Sequence, residues 1–148
     1  MQVAVFSDSH GNKKAIDNIF NNYQFDHYIF LGDGVDDLGT YKYLPNVHIV
    51  RGNCDLFCDY PLELVLDIQG AKIFATHGHK YGVKHTLSVV AQEGRKVGAD
   101  IVLIGHTHSN VEADEYGIKI YNPGALKNNQ FAALDIHDGQ IKINSIVL

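Results

Sequence analysis

Five short apolar runs constrain the fold of this chain more than any other feature of its sequence. Each run has three or four residues, and only His48 interrupts one of them, so each is a candidate for a short buried strand. Uninterrupted apolar strands are typical of a sheet that is covered on both faces. The runs span residues 3–6, 28–31, 47–50, 73–75 and 101–104.

Helical spacing appears between some of these runs. Apolar side chains recur every three or four residues over 13–23, which predicts a helix between the first two strands. A second helix is predicted over 83–97, with Gly98 as its C-terminal stop. After Gly105 the pattern changes to alternation, and Asp138-Gly139 is a two-residue hairpin signal. The sequence therefore predicts a mainly antiparallel C-terminal third and an α/β fold in which a second sheet packs against the first.

Length and charge exclude several classes of protein. A chain of 148 residues has room for one core, so residues 1–148 are treated as a single domain. A formal charge of -5 with only two arginines argues against a stable nucleic-acid complex. No apolar run approaches the ~18 residues of a membrane span, which predicts no membrane partner and a cytoplasmic location. A homo-oligomer is left open.

Polar side chains follow each of the five runs, at the point where each strand is expected to end. In open α/β sheets, ligands bind outside the carboxyl ends of the strands, so these residues are expected to meet in one place. Any one of them alone would be ordinary turn chemistry, but five together are not. The motifs are Asp8-Ser9-His10, Gly32-Asp33, Gly52-Asn53, His77-Gly78-His79 and Gly105-His106-Thr107-His108.

The chemistry of these motifs predicts a dinuclear metal site. Seven of their side chains offer oxygen or nitrogen donors, which suits borderline divalent ions such as Mn, Ni, Co, Fe or Zn. Seven donors are too many for one ion and about right for two. Two such ions would make a positively charged site that attracts phosphate without arginine. The seven are Asp8, His10, Asp33, Asn53, His77, His106 and His108.

The ordered series of motifs resembles the calcineurin-like metallophosphoesterases, and within them the small phosphodiesterases of bacteria and archaea. The resemblance implies a four-layer αββα sandwich of two mixed sheets. It also implies that Asp8, His10 and His108 hold one metal ion. Asn53, His77 and His106 would hold the other, and Asp33 would bridge both. These assignments come from the resemblance and are expectations for the structure.

The resemblance further implies a function. The expected reaction is hydrolysis of small phosphodiesters through in-line attack by a metal-bridging water, with no side-chain nucleophile and with Mn as the first choice of metal. The alternatives are a phosphomonoesterase or nucleotidase, and a non-catalytic protein-binding scaffold such as the retromer subunit of this fold. All seven donor positions hold a competent residue, which favours an enzyme.

Other residues near the motifs are given supporting roles. Asn12 resembles a position that faces the substrate, and Asp55 and His79 are expected to support the metal ligands or contact substrate. Cys54 stands where phosphoprotein phosphatases of the wider family carry a histidine that is thought to protonate the leaving group, so that role is not carried over. A neutral thiol is a poor acid for an alkoxide, which predicts a preference for aryl or nucleotide-type leaving groups. Asp36 and Asp37 follow Asp33 closely and could join the metal site, but the preferred interpretation is that they cap a helix over 37–43.

Overall fold

Two five-stranded sheets form the centre of the molecule. The computed structural model describes all 148 residues. The strands are β1 Gln2–Phe6, β2 His27–Phe30, β3 Val47–Ile49, β4 Glu63–Ile68, β5 Ala71–Thr76, β6 Ile101–Leu103, β7 Asn110–Glu115, β8 Ile118–Pro123, β9 Gln130–His137 and β10 Gln140–Val147. The order of neighbouring strands is β10-β9-β1-β2-β3 in the first sheet and β4-β5-β6-β8-β7 in the second. Both sheets are mixed, as the resemblance implies.

The face between the two sheets is the main core. Alternate residues of a strand point to opposite faces, so Val3 and Val5 of β1 point inward. They join a fully apolar cluster that includes Ile73 of β5 and Leu103 of β6, and all four side chains are completely buried. The other face of each of these strands is covered as well, and this is why the apolar runs are continuous.

Helices cover the outer faces. The helix α1, Lys13–Asn22, packs Ile16 and Ile19 against Ala4 and Phe6 of the first sheet. The helix α2, Ser88–Lys96, packs Val90 and Ala91 against the outer face of the second sheet. The result is the four-layer αββα sandwich that the resemblance implies. None of the helices is long and apolar enough to span a membrane.

Two helix predictions are wrong in their extent. The helix predicted over 83–97 begins only at Ser88, because Gly82 ends a short 3₁₀ turn in the left-handed region and the residues after it form turns. The predicted helix over 37–43 is instead a 3₁₀ segment, Val35–Tyr43, and Gly39 breaks it with φ 53° and ψ -127°.

The C-terminal hairpin is as predicted. Asp138 and Gly139 connect β9 to β10, and both have positive φ, at 48° and 79°. Positive φ at both central residues is the geometry that a two-residue turn needs to match the twist of its strands. The strand β9 also pairs with β1, so this hairpin completes the first sheet.

The topology brings the polar motifs together. The strands β1, β2 and β3 are parallel to one another, as are β5, β6 and β8. The motifs that follow β1, β2, β3, β5 and β6 therefore emerge at one end of the two sheets.

Candidate metal centre

Two groups of donor atoms lie at this end of the sheets. Within each group the ligand atoms all lie within 4.8 Å of one another. We call them the Asp8 group, formed by Asp8, His10 and His108, and the Asp33 group, formed by Asp33, His77 and His106. The structure thus brings six of the seven predicted ligands into the two sets expected of them.

One oxygen of Asp8 is fixed and the other is free. Its Oδ2 accepts hydrogen bonds from Ser7 Oγ at 2.5 Å and from the backbone N–H of His106 at 3.0 Å. Its Oδ1 is buried without a hydrogen-bond partner and lies 3.1 Å from His108 Nε2 and 3.5 Å from His10 Nε2. An unpaired buried carboxylate oxygen among imidazole nitrogens is costly unless a cation joins them.

The two carboxylate oxygens of Asp33 also differ in their contacts. Its Oδ1 accepts a hydrogen bond from the Cys54 N–H at 2.8 Å. Its Oδ2 lies 3.2 Å from His77 Nε2 and 3.8 Å from His10 Nε2, so this one oxygen faces both groups. That position suits a carboxylate that bridges two ions.

The tautomer of His77 is set by the first sheet. Its Nδ1–H donates to the carbonyl oxygen of Leu31 at 2.7 Å, which leaves the lone pair of Nε2 directed at the carboxylates. That Nε2 is buried and has no hydrogen-bond partner. A backbone carbonyl that orients an imidazole in this way is a common support of metal-ligating histidine. The residues present therefore fit a borderline divalent ion in each group.

Asn53 is the predicted ligand that the structure does not bring into either group. Its side chain is exposed, and its amide donates toward Cys54 Sγ at 3.5 Å. The backbone nevertheless places it next to Cys54, whose N–H holds Asp33. Its role as a ligand stays a prediction.

The loops that carry the donors are strained. Ten non-glycine residues have positive φ, and half of them belong to the two groups. Such conformations cost about 1–3 kcal/mol each and persist where the surrounding contacts fix them, often at functional sites. The five are Asp8, His10, Asp33, His106 and His108.

Asp55 makes several of the contacts that fix these loops. Its Oδ2 accepts from the N–H groups of Asp33 and Gly52, both at 2.7 Å. Its Oδ1 accepts from the N–H groups of Gly34 and Val35 at 2.9 and 3.0 Å. One carboxylate therefore ties the loop after β2 to the loop after β3. This is the supporting role expected for Asp55, and no contact with substrate is needed to explain the residue.

The capping role predicted for Asp37 is wrong. The 3₁₀ segment begins after Gly34 without a side-chain cap. Asp37 Oδ2 instead accepts from Ser9 Oγ and from the Gly11 N–H, both at 2.7 Å, and so fixes the loop on either side of His10. Sequence reasoning missed this support because Asp37 lies at the start of a helical pattern, and nothing in the sequence pairs it with Ser9.

Asn12 is held by structural contacts. Its Oδ1 accepts from the Ala15 N–H and caps α1, while its Nδ2 donates to the Leu126 carbonyl at 2.9 Å and to Asn129 Oδ1 at 3.2 Å. These contacts account for an asparagine at this position, and its predicted contact with substrate stays a prediction.

Glycines next to the donors allow close approach of the loops. A Cβ on Gly52 would lie 2.1 Å from Asp33 Oδ1, and one on Gly105 would lie 2.0 Å from Ser7 Oγ and 2.8 Å from Asp8 Oδ2. Neither glycine has positive φ, so the requirement is for space and not for backbone freedom. Any side chain at these positions would displace the carboxylates.

His79 lies beside the Asp33 group. Its ring centroid is 5.5 Å from that of His77 and 6.2 Å from that of His106, and its buried Nδ1 has no hydrogen-bond partner. Burial, together with the neighbouring charge of His77, lowers the pKa of His79. The residue is close enough to support the group, and its predicted contact with substrate stays a prediction.

Protons should compete with metal at His77. Burial alone would lower the pKa of His77, but the neighbouring carboxylates of Asp33 and Asp8 outweigh burial and raise it. A metal ligand must be neutral imidazole, so metal affinity is lost as pH falls through this raised pKa. We expect Mn affinity, measured by calorimetry from pH 8 downward, to begin falling above the ordinary imidazole pKa of about 6.5. An affinity that is constant from pH 8 to about pH 6 would contradict this.

A cleft opens beside the two groups. It has a volume of about 400 Å³, and His10 and Asp33 form part of its wall together with Cys54 and Asp55. Cys54 is exposed to this cleft. Ligands could therefore reach the donors from solvent along one side.

Known proteins resemble this chain in sequence and in fold. Residues 1–139 match the model of the calcineurin-like phosphoesterase superfamily domain. A probable metallophosphoesterase of Bacillus subtilis, YsnB, is 33% identical over 128 residues, which cover 86% of this chain and 76% of YsnB.

Solved structures of other proteins have the same fold. A predicted phosphoesterase from Streptococcus pneumoniae has a TM-score of 0.82 and 25% identity, with 99% of this chain and 88% of that one covered. Vps29 from Entamoeba histolytica, complexed with zinc, has a TM-score of 0.73 and 22% identity, with 99% and 98% covered, and shows the shared fold. The donor groups and the relatives together support divalent-metal binding and a metal-dependent phosphoesterase. The chain belongs to the calcineurin-like phosphoesterase superfamily.

Proposed function

We propose that this protein is a phosphodiesterase that hydrolyses small phosphodiesters at a site of two divalent metal ions, with Mn as the first choice. The Asp8 group would hold one ion and the Asp33 group the other, with Asn53 as a further ligand and Asp33 as the ligand that both ions share. The positions of Asp8 Oδ1 and Asp33 Oδ2 among the imidazole nitrogens support this arrangement.

The charge of the cleft carries the preference for diesters. Four carboxylates line it, and no lysine or arginine does. A phosphodiester carries one negative charge at neutral pH, whereas a monoester carries close to two and would meet stronger repulsion from those carboxylates. Apart from the two proposed metal ions, the cleft has no lysine or arginine to bind the additional charged oxygen of a monoester. The four are Asp33, Asp36, Asp37 and Asp55.

The side chains at the site hold the proposed metal ions and orient one another, and none of them is a good nucleophile. Ser7 Oγ donates to Asp8 and Ser9 Oγ donates to Asp37, so both hydroxyls are engaged. Partial burial and the charge of Asp33 raise the pKa of the Cys54 thiol, which keeps it neutral. When bound, paired divalent ions supply an activated water and stabilise the charge that develops on phosphorus oxygens. Asp8 and Asp33 offer the negative oxygens that retain such ions.

The test compares a diester with its monoester. Bis(p-nitrophenyl) phosphate should be hydrolysed with a higher kcat/KM than p-nitrophenyl phosphate in Mn. Activity should vanish in EDTA and return when Mn is restored. Preference for the monoester would favour a phosphomonoesterase or nucleotidase instead.

A scaffold is the second candidate, because Vps29 has the same fold. Metal binding alone does not separate the two functions, since that Vps29 structure contains zinc. Turnover does separate them. If neither ester is hydrolysed with saturating Mn, Ni, Co or Zn, the proposal of an enzyme is contradicted and the proposal of a protein-binding scaffold stands.

Cys54 should limit activity on poor leaving groups. A thiol with a raised pKa is a weak proton donor to an alkoxide, whereas p-nitrophenolate leaves without protonation. We expect Cys54→His to raise kcat for an alkyl phosphodiester more than kcat for a nitrophenyl one. Equal effects on the two substrates would contradict this role. Cys58→His, a change at the other cysteine of the same cleft wall, is the matched control.

A further inference from the structure

Phe57 is an unusual residue beside the proposed active site. Its side chain is fully exposed, and its backbone has φ 59°, in the left-handed region. Both features are unfavourable, since a large apolar ring in water and a bulky residue with positive φ each cost free energy. Neither the core clusters nor the metal centre uses this ring. Observed backbone strain of this kind is a reason to look for a functional role.

Phe57 lies where two clefts meet. It lines the cleft of about 400 Å³ that contains His10 and Asp33. It also lines a second cleft, of about 360 Å³, that extends to Tyr43 and Tyr60. Val35, Asp36 and Cys58 belong to both walls as well, so the two clefts adjoin. We call the adjoining clefts the groove, and the second cleft, its far part, contains none of the donors.

The far part of the groove is aromatic. Tyr43 is 75% exposed there, and Lys42 Nζ lies 5.5 Å from the centre of its ring. Together with Phe57 and Tyr60 this gives three aromatic side chains in the wall of the second cleft. Stacked aromatic surfaces bind planar rings, whether aryl groups or nucleobases, because every such ring presents a π face.

The charges of the groove narrow the choice of ligand. Asp36 and Asp59 are exposed in the wall of the second cleft, and Lys42 is the one lysine or arginine that lines it. A second phosphate would meet two carboxylates and one ammonium group, so a polyanionic arm is disfavoured. An uncharged ring fits, and any ring N–H groups could donate to the carboxylates.

We infer that this groove binds one ester group of the substrate as an uncharged aromatic ring, with Phe57 as the specificity-determining surface on which that ring stacks. The inference rests on the proposed function for the phosphate end of the substrate. It names the substrate class as small phosphodiesters with an aryl or nucleoside arm. Dialkyl phosphodiesters and polyphosphorylated compounds are excluded from that class.

Binding of two slowly hydrolysed diesters tests the inference directly. Diphenyl phosphate and dimethyl phosphate carry the same single charge and differ in their rings. In the Mn-loaded protein, calorimetry should give tighter binding of diphenyl phosphate. Phe57→Ala should weaken that binding about tenfold, as expected for loss of one stacking partner, and should leave dimethyl phosphate unchanged. Phe57→Trp should restore the affinity.

A matched control and a kinetic arm complete the test. Tyr116 is also an exposed aromatic residue with positive φ, but it lies in the turn between β7 and β8, at the end of β8 remote from the metal-site loops. Tyr116→Ala should change neither affinity. In turnover of bis(p-nitrophenyl) phosphate, Phe57→Ala should act through KM more than through kcat.

The outcomes separate the inference from the function on which it rests. Equal affinities for the two diesters in the wild type, or an equal loss of both in Phe57→Ala, would overturn the aromatic groove. Ring-dependent binding in a protein that hydrolyses no diester would overturn the proposed function and leave the groove intact.

Discussion

Replacing Asp33 by asparagine should lower kcat/KM for bis(p-nitrophenyl) phosphate by about a thousandfold or more. A metal centre supplies several kcal/mol of transition-state stabilisation, and each 1.36 kcal/mol is tenfold in rate. The introduced amide could still accept the hydrogen bond from Cys54 through its oxygen. The atom that faces both His77 and His10 would lose its charge. Both proposed ions would then lose their shared ligand.

The fold should survive this substitution, so the loss can be assigned to the site. Circular dichroism should be unchanged, while Mn affinity by calorimetry should fall together with activity. Asp67→Asn, on the exposed side of β4, is the matched control and should retain wild-type rates. An Asp33→Asn enzyme within roughly tenfold of the wild type would contradict a bridging role.

Asp55→Ala should have the largest effect on stability. The substitution leaves four backbone N–H groups without their acceptor, and an unsatisfied buried donor costs about 1–3 kcal/mol. Because Asp55 is only half-buried, water can replace part of what is lost. We expect the free energy of unfolding, measured by urea titration in EDTA, to fall by about 3 kcal/mol or more. Mn affinity should fall as well, since the loop that carries Asp33 is no longer fixed.

Two further variants make this result specific. Asp59→Ala changes an exposed carboxylate of the same loop for which no hydrogen bond is seen, and should change stability by no more than about 0.5 kcal/mol. Asp55→Asn should resemble Asp55→Ala, because its amide nitrogen would face two N–H donors. An Asp55→Ala protein as stable as the Asp59→Ala protein would contradict the proposal that Asp55 ties the loop after β2 to the loop after β3.

The layered fold and the donors could be predicted because they depend on simple periodicity. Continuous apolar runs define strands covered on both faces, and polar residues after parallel strands must meet at one sheet edge. The structure confirms the αββα sandwich and brings together all of the predicted carboxylate and imidazole ligands. The ligand role of Asn53, manganese, the cytoplasmic location and the oligomeric state stay predictions.

The supporting contacts could not be predicted, because they join residues whose loops meet only in three dimensions. Asp37 lies at the start of a helical pattern, yet it accepts from Ser9, 28 residues earlier in the chain. The Leu31 carbonyl that orients His77 is a backbone atom and leaves no signal in the sequence. The late start of α2 has a similar cause, since Gly82 adopts a left-handed conformation that the apolar spacing around it does not reveal.

The most direct test of the central claim is the metal content of the purified protein. Elemental analysis of protein saturated with Mn and freed of excess ion should give close to two ions per chain. Asp33→Asn, which removes the shared ligand, should give fewer. A ratio near one in the wild type at saturation would contradict the proposal that the Asp8 group and the Asp33 group each hold an ion.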